Sequence, residues 1–163
     1  MVSSQRPRVG VLGPSSCTPP VREMAWRVGQ CIARSGAILV CGGGRGVMEA
    51  AARGAKEAGG FTVGILPGSS AVDANPYIDL PIVTGLGNAR NVVNVLTSQV
   101  VIAVGGAAGT LSEIALALKC GTPVIGLRTW QLQAPEDQPA PEIHTATTPE
   151  EAVELALRLI PSG

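Results

Sequence analysis

Short apolar runs rich in β-branched residues alternate along the chain with segments in which apolar side chains recur every three or four positions. That is the pattern of strand–helix–strand units around a parallel sheet, whose strands are covered on both faces and so read as continuous apolar runs. Val9 to Leu12 predicts the first strand. Val21, Met24, Ala25, Val28, Cys31 and Ile32 then share one face of a helix that Ser35-Gly36 ends. Ile38 to Cys41 predicts the second strand, Val47 to Ala58 a helix rich in alanine, and Phe61 to Leu66 the third strand. Ser69 to Asp79 has no clear period and is expected to be a mobile loop. A short strand near Ile82 to Thr84 leads to a helix from about Ala89 to Ser98, and Val100 to Val104 is the expected central strand. Leu111, Ile114, Ala115 and Leu118 mark a helix ended by Gly121, followed by a strand from Val124 to Leu127. The proline-rich stretch from Gln131 to Glu142 reads as a surface excursion and Ile143 to Ala146 as an edge strand. In Thr148-Pro149-Glu150-Glu151, a Thr cap, a proline at the first helical position and a Glu three residues after the cap start a last helix running to about Ile160. The expected fold class is α/β, a three-layer α/β/α sandwich around a doubly wound, mostly parallel sheet, as one domain over residues 1–163.

Composition narrows what such a fold does. Lysine plus arginine balance aspartate plus glutamate at 12 each, so no overall positive field draws the chain onto nucleic acid or an anionic membrane. Aromatic residues make up 2%, too few for the stacking platforms of single-strand binders. Neither nucleic acid nor a membrane is an expected partner. Cys17, Cys31, Cys41 and Cys120 form no CxxC pair, and His144 is the single histidine, so neither a disulfide framework nor a His-rich metal site is expected. Met1 to Arg8 is polar with no apolar signal core, and no run of about 18 apolar residues occurs; the expected location is the cytoplasm.

Candidate chemistry lies where strands hand over to helices. In an open parallel sheet, ligands bind outside the carboxyl ends of the strands near a reversal of strand order. Gly13-Pro14-Ser15-Ser16, Gly42-Gly43-Gly44-Arg45-Gly46 and Gly105 to Thr110 all leave strands at that end, each before a helix. Glycines let backbone N–H groups approach an anion, and the helix N-terminus behind them adds unsatisfied donors, so a phosphate is the natural guest. None of the loops has the GxGxxG or Walker A pattern. Arg90, after Gly85-Leu86-Gly87-Asn88, is either a fork for phosphate or carboxylate or a solvated surface residue. Arg45 is either ligand-facing or an exposed loop cation. Glu113 is either a general base or ribose ligand, or an acid favoured near a helix start; Thr110 is a helix cap, a phosphate ligand, or both.

With these residues in place, Arg8 to Leu127 resembles the Rossmann-like family first described as lysine decarboxylases, which includes the LONELY GUY phosphoribohydrolases. Their hallmark PGGxGTxxE is matched at Gly109-Thr110 and Glu113, while its opening PGG stands here as Gly105-Gly106-Ala107; their catalytic Arg aligns with Arg90 in Asn88-Ala89-Arg90-Asn91. A shorter branch resembling molybdenum cofactor carrier proteins has GGG after the second strand and VGGxxGTLSEIALAL after the fifth, here Gly42-Gly43-Gly44 and Val104 through Leu118. The resemblance implies storage or transfer of molybdopterin, a phosphate-bearing pterin, without turnover. Its ligand shell would be Gly13, Ser15, Ser16, Gly42, Gly43, Gly44, Arg45, Asn88, Arg90, Gly105, Gly106, Ala107, Gly109, Thr110 and Glu113, and its partners cofactor-biosynthetic or acceptor enzymes. The alternative is release of free base from a nucleoside 5′-monophosphate, with Arg90 and Glu113 catalytic. A homodimer or homotetramer is expected from the family, with Val92, Val95 and Leu116 on apolar faces between subunits.

Overall fold

In the computed structural model, which describes residues 5–161, seven strands form one sheet in the order β4-β3-β2-β1-β5-β6-β7. Met1 to Ser4, part of the polar N-terminal stretch, lie outside the described residues. The strands are β1 (Arg8–Leu12), β2 (Ile38–Cys41), β3 (Phe61–Leu66), β4 (Leu80–Val83), β5 (Val100–Val104), β6 (Val124–Leu127) and β7 (Ile143–Ala146). Every pairing is parallel. The helices are α1 (Pro19–Arg34), α2 (Val47–Glu57), α3 (Arg90–Thr97), α4 (Ala108–Lys119) and α5 (Pro149–Leu159). The α/β sandwich read from the sequence is the fold observed.

The two faces of the sheet bury different residues because successive side chains point to opposite sides. Val9 and Val11 of β1 and Val100, Ile102 and Val104 of β5 pack under α1, α2 and α5. Val101 and Ala103 face the other way, with Val95 of α3 and Ile114 and Ala117 of α4. Every side chain of β5 is buried, which is why it reads as an unbroken apolar run. At the start of α5, the Thr148 hydroxyl accepts the Glu151 N–H at 3.2 Å, while the Glu151 carboxylate accepts the Thr147 N–H and hydroxyl, each at 2.7 Å.

Three expectations are corrected. The strand placed near Ile82 to Thr84 begins at Leu80, because its register is set by pairing Val63 with Leu80 through Leu66 with Val83. The segment Ser69 to Asp79 is not a free loop. It carries a 3-10 turn at Ala71–Asp73, and Asn75, 7% exposed, fastens it to the β2–α2 loop: its N–H and Nδ2 donate to the Gly43 carbonyl at 2.8 and 3.2 Å, and Nδ2 also donates to the Gly44 carbonyl at 2.8 Å. Val95 is 0% exposed within its own subunit and offers nothing to a neighbour; the outward apolar residues of α3 are Val92 and Leu96, 39% and 62% exposed.

Helices α1 and α2 cross in backbone contact. A side chain on Gly29 would strike the Ala51 carbonyl, and one on Gly54 the Trp26 carbonyl. Carbonyls of a helix interior cannot move aside as a flexible side chain can. Gly54→Val is therefore expected to destabilise the fold by at least about 1–3 kcal/mol, the usual cost of overpacking. Denaturant midpoints at unchanged slope measure it, and an unaltered midpoint would remove the crossing from the account of stability.

Candidate functional site

The strand order reverses between β1 and β5, because the chain moves outward through β2, β3 and β4 on one side and through β6 and β7 on the other. A crevice opens where the helices on either side of that reversal diverge. The loops after β1, β2 and β5 meet there, and the first two are stitched together by the Val47 N–H, which donates to the Pro14 carbonyl at 3.0 Å. The β5 loop is braced from β6: the Gly105 N–H donates to the Leu127 carbonyl at 3.1 Å, and the Trp130 indole N–H donates to the Ala107 carbonyl at 3.2 Å.

Arg90, the first residue of α3, enters this rim from the β4 side. Its guanidinium occupies the space that a side chain at residue 42 would need, so Gly42 is glycine for close approach. Nη1 of Arg90 is buried without a hydrogen-bond partner among the described residues, a state that costs free energy and is rare in native folds. Thr110 Oγ1 is buried and, among the described residues, unpartnered as well. Thr110 is not the helix cap the sequence allowed: α4 begins at Ala108, its cap position is Ala107, and no side chain caps it. Glu113 accordingly lies in the second turn of α4, beyond the reach of the helix-start preference. Burial pushes the Glu113 carboxyl up to about 7, with the Arg90 cation pulling it back. Burial also raises the Cys41 thiol to about 11, keeping it neutral and unreactive at neutral pH.

Two cavities adjoin this cluster. One of about 470 Å³ lies over the β2 loop, lined by Ser15, Gly42, Gly44, Arg45 and Arg90 together with Met48, Leu66, Pro67 and Asp73. The other, about 540 Å³, runs along α1 and α2 and shares Ser15 and Arg45 with the first; Ser16 opens onto it. Gly13, Gly43, Asn88, Gly105, Gly106, Ala107, Gly109, Thr110 and Glu113 line neither. Gly43 is buried and held by Asn75, while Asn88 is exposed in a 3-10 turn, Gly87–Ala89. Gly106 lies under the Trp130 indole. Sequence reasoning missed Trp130 and Asn75. Asn75 sits in Ala74-Asn75-Pro76 and accepts the Tyr77 N–H at 3.0 Å, a turn signal legible in the sequence although its tertiary bonds are not. Among the described residues no three His, Cys, Asp or Glu side chains cluster to hold a metal ion. The rim offers cations, hydroxyls and backbone N–H groups, which suit an anion.

Since Glu113 binds its proton more tightly in the folded chain than at its ordinary value of 4.5, the stability it contributes is complete below about 4.5 and is lost as pH rises through about 7. Glu113→Gln is expected to match the parent near pH 4 and to exceed it above pH 7, by at most about 3 kcal/mol for such a shift. Tm against pH for both proteins checks this; parallel curves would contradict the buried carboxyl.

Residues 6–153 match the SLOG cluster4 family. The molybdenum cofactor binding protein of the phototrophic bacterium Rippkaea orientalis is a structural neighbour at TM-score 0.87 and 45% identity, the match covering 98% of this chain and 100% of that one. The molybdenum cofactor carrier protein of Chlamydomonas reinhardtii superposes at TM-score 0.81 with 41% identity over 94% of this chain and 98% of its own. An uncharacterised protein of Archaeoglobus fulgidus is 46% identical over 121 residues, 74% of this chain and 80% of that protein. DNA processing protein A of Streptococcus pneumoniae, at 17% identity and TM-score 0.69, shares the fold alone. With a match spanning nearly the whole chain, the protein belongs to the SLOG cluster4 family.

Proposed function

We propose that this protein binds the molybdenum cofactor through its phosphate and carries it without chemical change. The carrying observation is the buried, unpartnered Nη1 of Arg90 laid over the glycine loop beside Arg45 and Ser15. An orphaned guanidinium N–H at the wall of a cavity is a donor waiting for an anion, and a planar fork suits phosphate. Gly42 and Gly44 leave backbone open to the guest, Arg45 adds charge, and the Ser15 hydroxyl adds a further donor. The similarity to the Rippkaea orientalis and Chlamydomonas reinhardtii proteins supports the same cargo. A carrier of this kind hands its ligand to cofactor-biosynthetic or acceptor enzymes. Work in the cytoplasm agrees with cysteines that are free among the described residues.

Release of base from a nucleoside 5′-monophosphate is the second reading, favoured by one observation: a carboxyl titrating at about 7 in the field of an arginine. Such a pair could orient a ribose and stabilise positive charge developing on it. Assembly into a homodimer or homotetramer through the outward Val92 and Leu96 is part of the proposal, since apolar exposure of this kind marks interaction surfaces.

Three outcomes are expected. In anaerobic titration with molybdopterin, Arg90→Gln weakens binding about 10- to 150-fold, the equivalent of one charge-assisted hydrogen bond of about 1.5–3 kcal/mol; unchanged affinity would overturn the phosphate assignment. No free base is released from a panel of nucleoside 5′-monophosphates, whereas release by the parent and not by Glu113→Ala would establish the hydrolase reading instead. Leu96→Asp shifts the protein to a smaller species in sedimentation; an unaltered profile would move the subunit contact elsewhere.

A further inference from the structure

The groove along α1 and α2 is the larger of the two cavities, and the phosphate reading leaves it without a role. It runs continuously from the rim, because Ser15 and Arg45 belong to both cavities. Each is already the size of a whole small-molecule site, about 300–1,000 Å³, so a ligand filling the rim leaves the groove open.

Its lining is chemically selective. The chain has only two tryptophans, one tyrosine and one phenylalanine, yet Trp26 and Tyr77 both face this groove. Trp26 is fixed in place: its indole N–H donates to Glu57 at 2.7 Å, and Arg53 binds the same carboxylate at 2.8 Å. Tyr77 is held by the Asn75 turn. Toward the rim stand Arg22 and Arg45, whose guanidinium groups make no hydrogen bond or ion pair among the described residues, in contrast to Arg27, Arg53 and Arg158, each of which has a glutamate. The remaining charges on the walls are Glu23 and Glu49, acceptors suited to amino or ribose hydroxyl groups.

Aromatic faces at one end and unpaired guanidinium groups at the junction with a phosphate-binding rim describe a seat for a base followed by a diphosphate. We infer that the α1–α2 groove takes the base and diphosphate of a nucleotide attached to the cofactor, so that the cargo is a pterin joined to a nucleoside through a diphosphate bridge. The inference rests on the carrier reading. The pterin lies over the glycine rim with its own phosphate, the proximal half of the bridge, on Arg90, the distal phosphate lies at the seam against Arg45, Ser15 and Arg22, and the base stacks on the Trp26 and Tyr77 walls, a contact that accepts any base because each has a π-face.

The test uses GDP, CDP and inorganic diphosphate as calorimetric probes on the whole chain, with Arg22→Gln as the groove variant and Arg90→Gln as the rim variant. Arg22 is exposed and its guanidinium has no bond to lose among the described residues, so Arg22→Gln is expected to fold as the parent does; circular dichroism and Tm verify it. The expected result is that a nucleoside diphosphate binds at least tenfold more tightly than inorganic diphosphate. Arg22→Gln then loses at least tenfold of that affinity while binding molybdopterin as the parent does. The inference is overturned if neither nucleoside diphosphate binds, if inorganic diphosphate binds equally well, or if Arg22→Gln binds them unchanged. In each of those cases, molybdopterin binding that depends on Arg90 leaves the carrier reading standing. Nucleoside diphosphate binding through Arg22 in a protein that takes no molybdopterin overturns the carrier reading, and with it the composite cargo.

Discussion

The missing side chain at residue 42 is the constraint on which the site turns. Because nothing projects from Gly42, the Arg90 guanidinium can lie across the β2 loop, bringing a cation from the far side of α3 into the crevice between the two halves of the sheet. That placement strips part of its hydration without supplying a protein partner. The cost is sustained by the surrounding packing: Cys41 and Leu66 are buried beside the loop, and Asn75 clamps Gly43 and Gly44 from above. Under the proposed phosphate reading, an arginine held so is organised for an anion before the anion arrives, and preorganisation of this sort lowers what binding must otherwise spend on ordering side chains.

The same cation sets the character of its neighbours. Glu113 is raised by burial and restrained by Arg90, so near neutrality it exists as a mixture of acid and carboxylate. An anionic guest close to Arg90 would weaken that restraint and favour the acid form. Cys41, the nearest thiol, stays protonated. A rim with one committed cation, a carboxyl that yields its charge and a silent thiol is suited to receiving a phosphate intact.

Most of the fold was legible because parallel strands announce themselves. Val100 to Val104 and Ile38 to Cys41 are apolar without interruption and lie in the sheet with those bounds. The start of α5 was equally plain, since its cap, proline and glutamate act within five residues of one another. The start of α4 was obscured for the converse reason: Ala107-Ala108-Gly109 offers no capping side chain, and Thr110 attracted a role it does not have. In the site, Gly42, Arg45, Ser15 and Arg90 were visible as glycine-loop chemistry and do meet at one cavity. What stayed hidden depends on distant parts of the chain coming together. Asn75 gives no sign in the sequence that it will reach Gly43, Trp130 none that it will settle on Gly106, and nothing in the spacing of Trp26 and Tyr77 shows that α1 and the approach to β4 share a groove.

The Asn75 clasp has a consequence for how a ligand comes and goes. Three hydrogen bonds from one residue join the β3–β4 segment to the glycine loop and tie the two pieces into one lip; on the proposed carrier reading, residence time is then set by the strength of the contacts to the ligand. On that same reading, a receptor built like an open berth surrenders its cargo when another surface comes alongside and competes for the exposed half. Exchange between proteins, if carriage is this chain's task, becomes a matter of docking, in which the recipient's own affinity sets the direction of traffic.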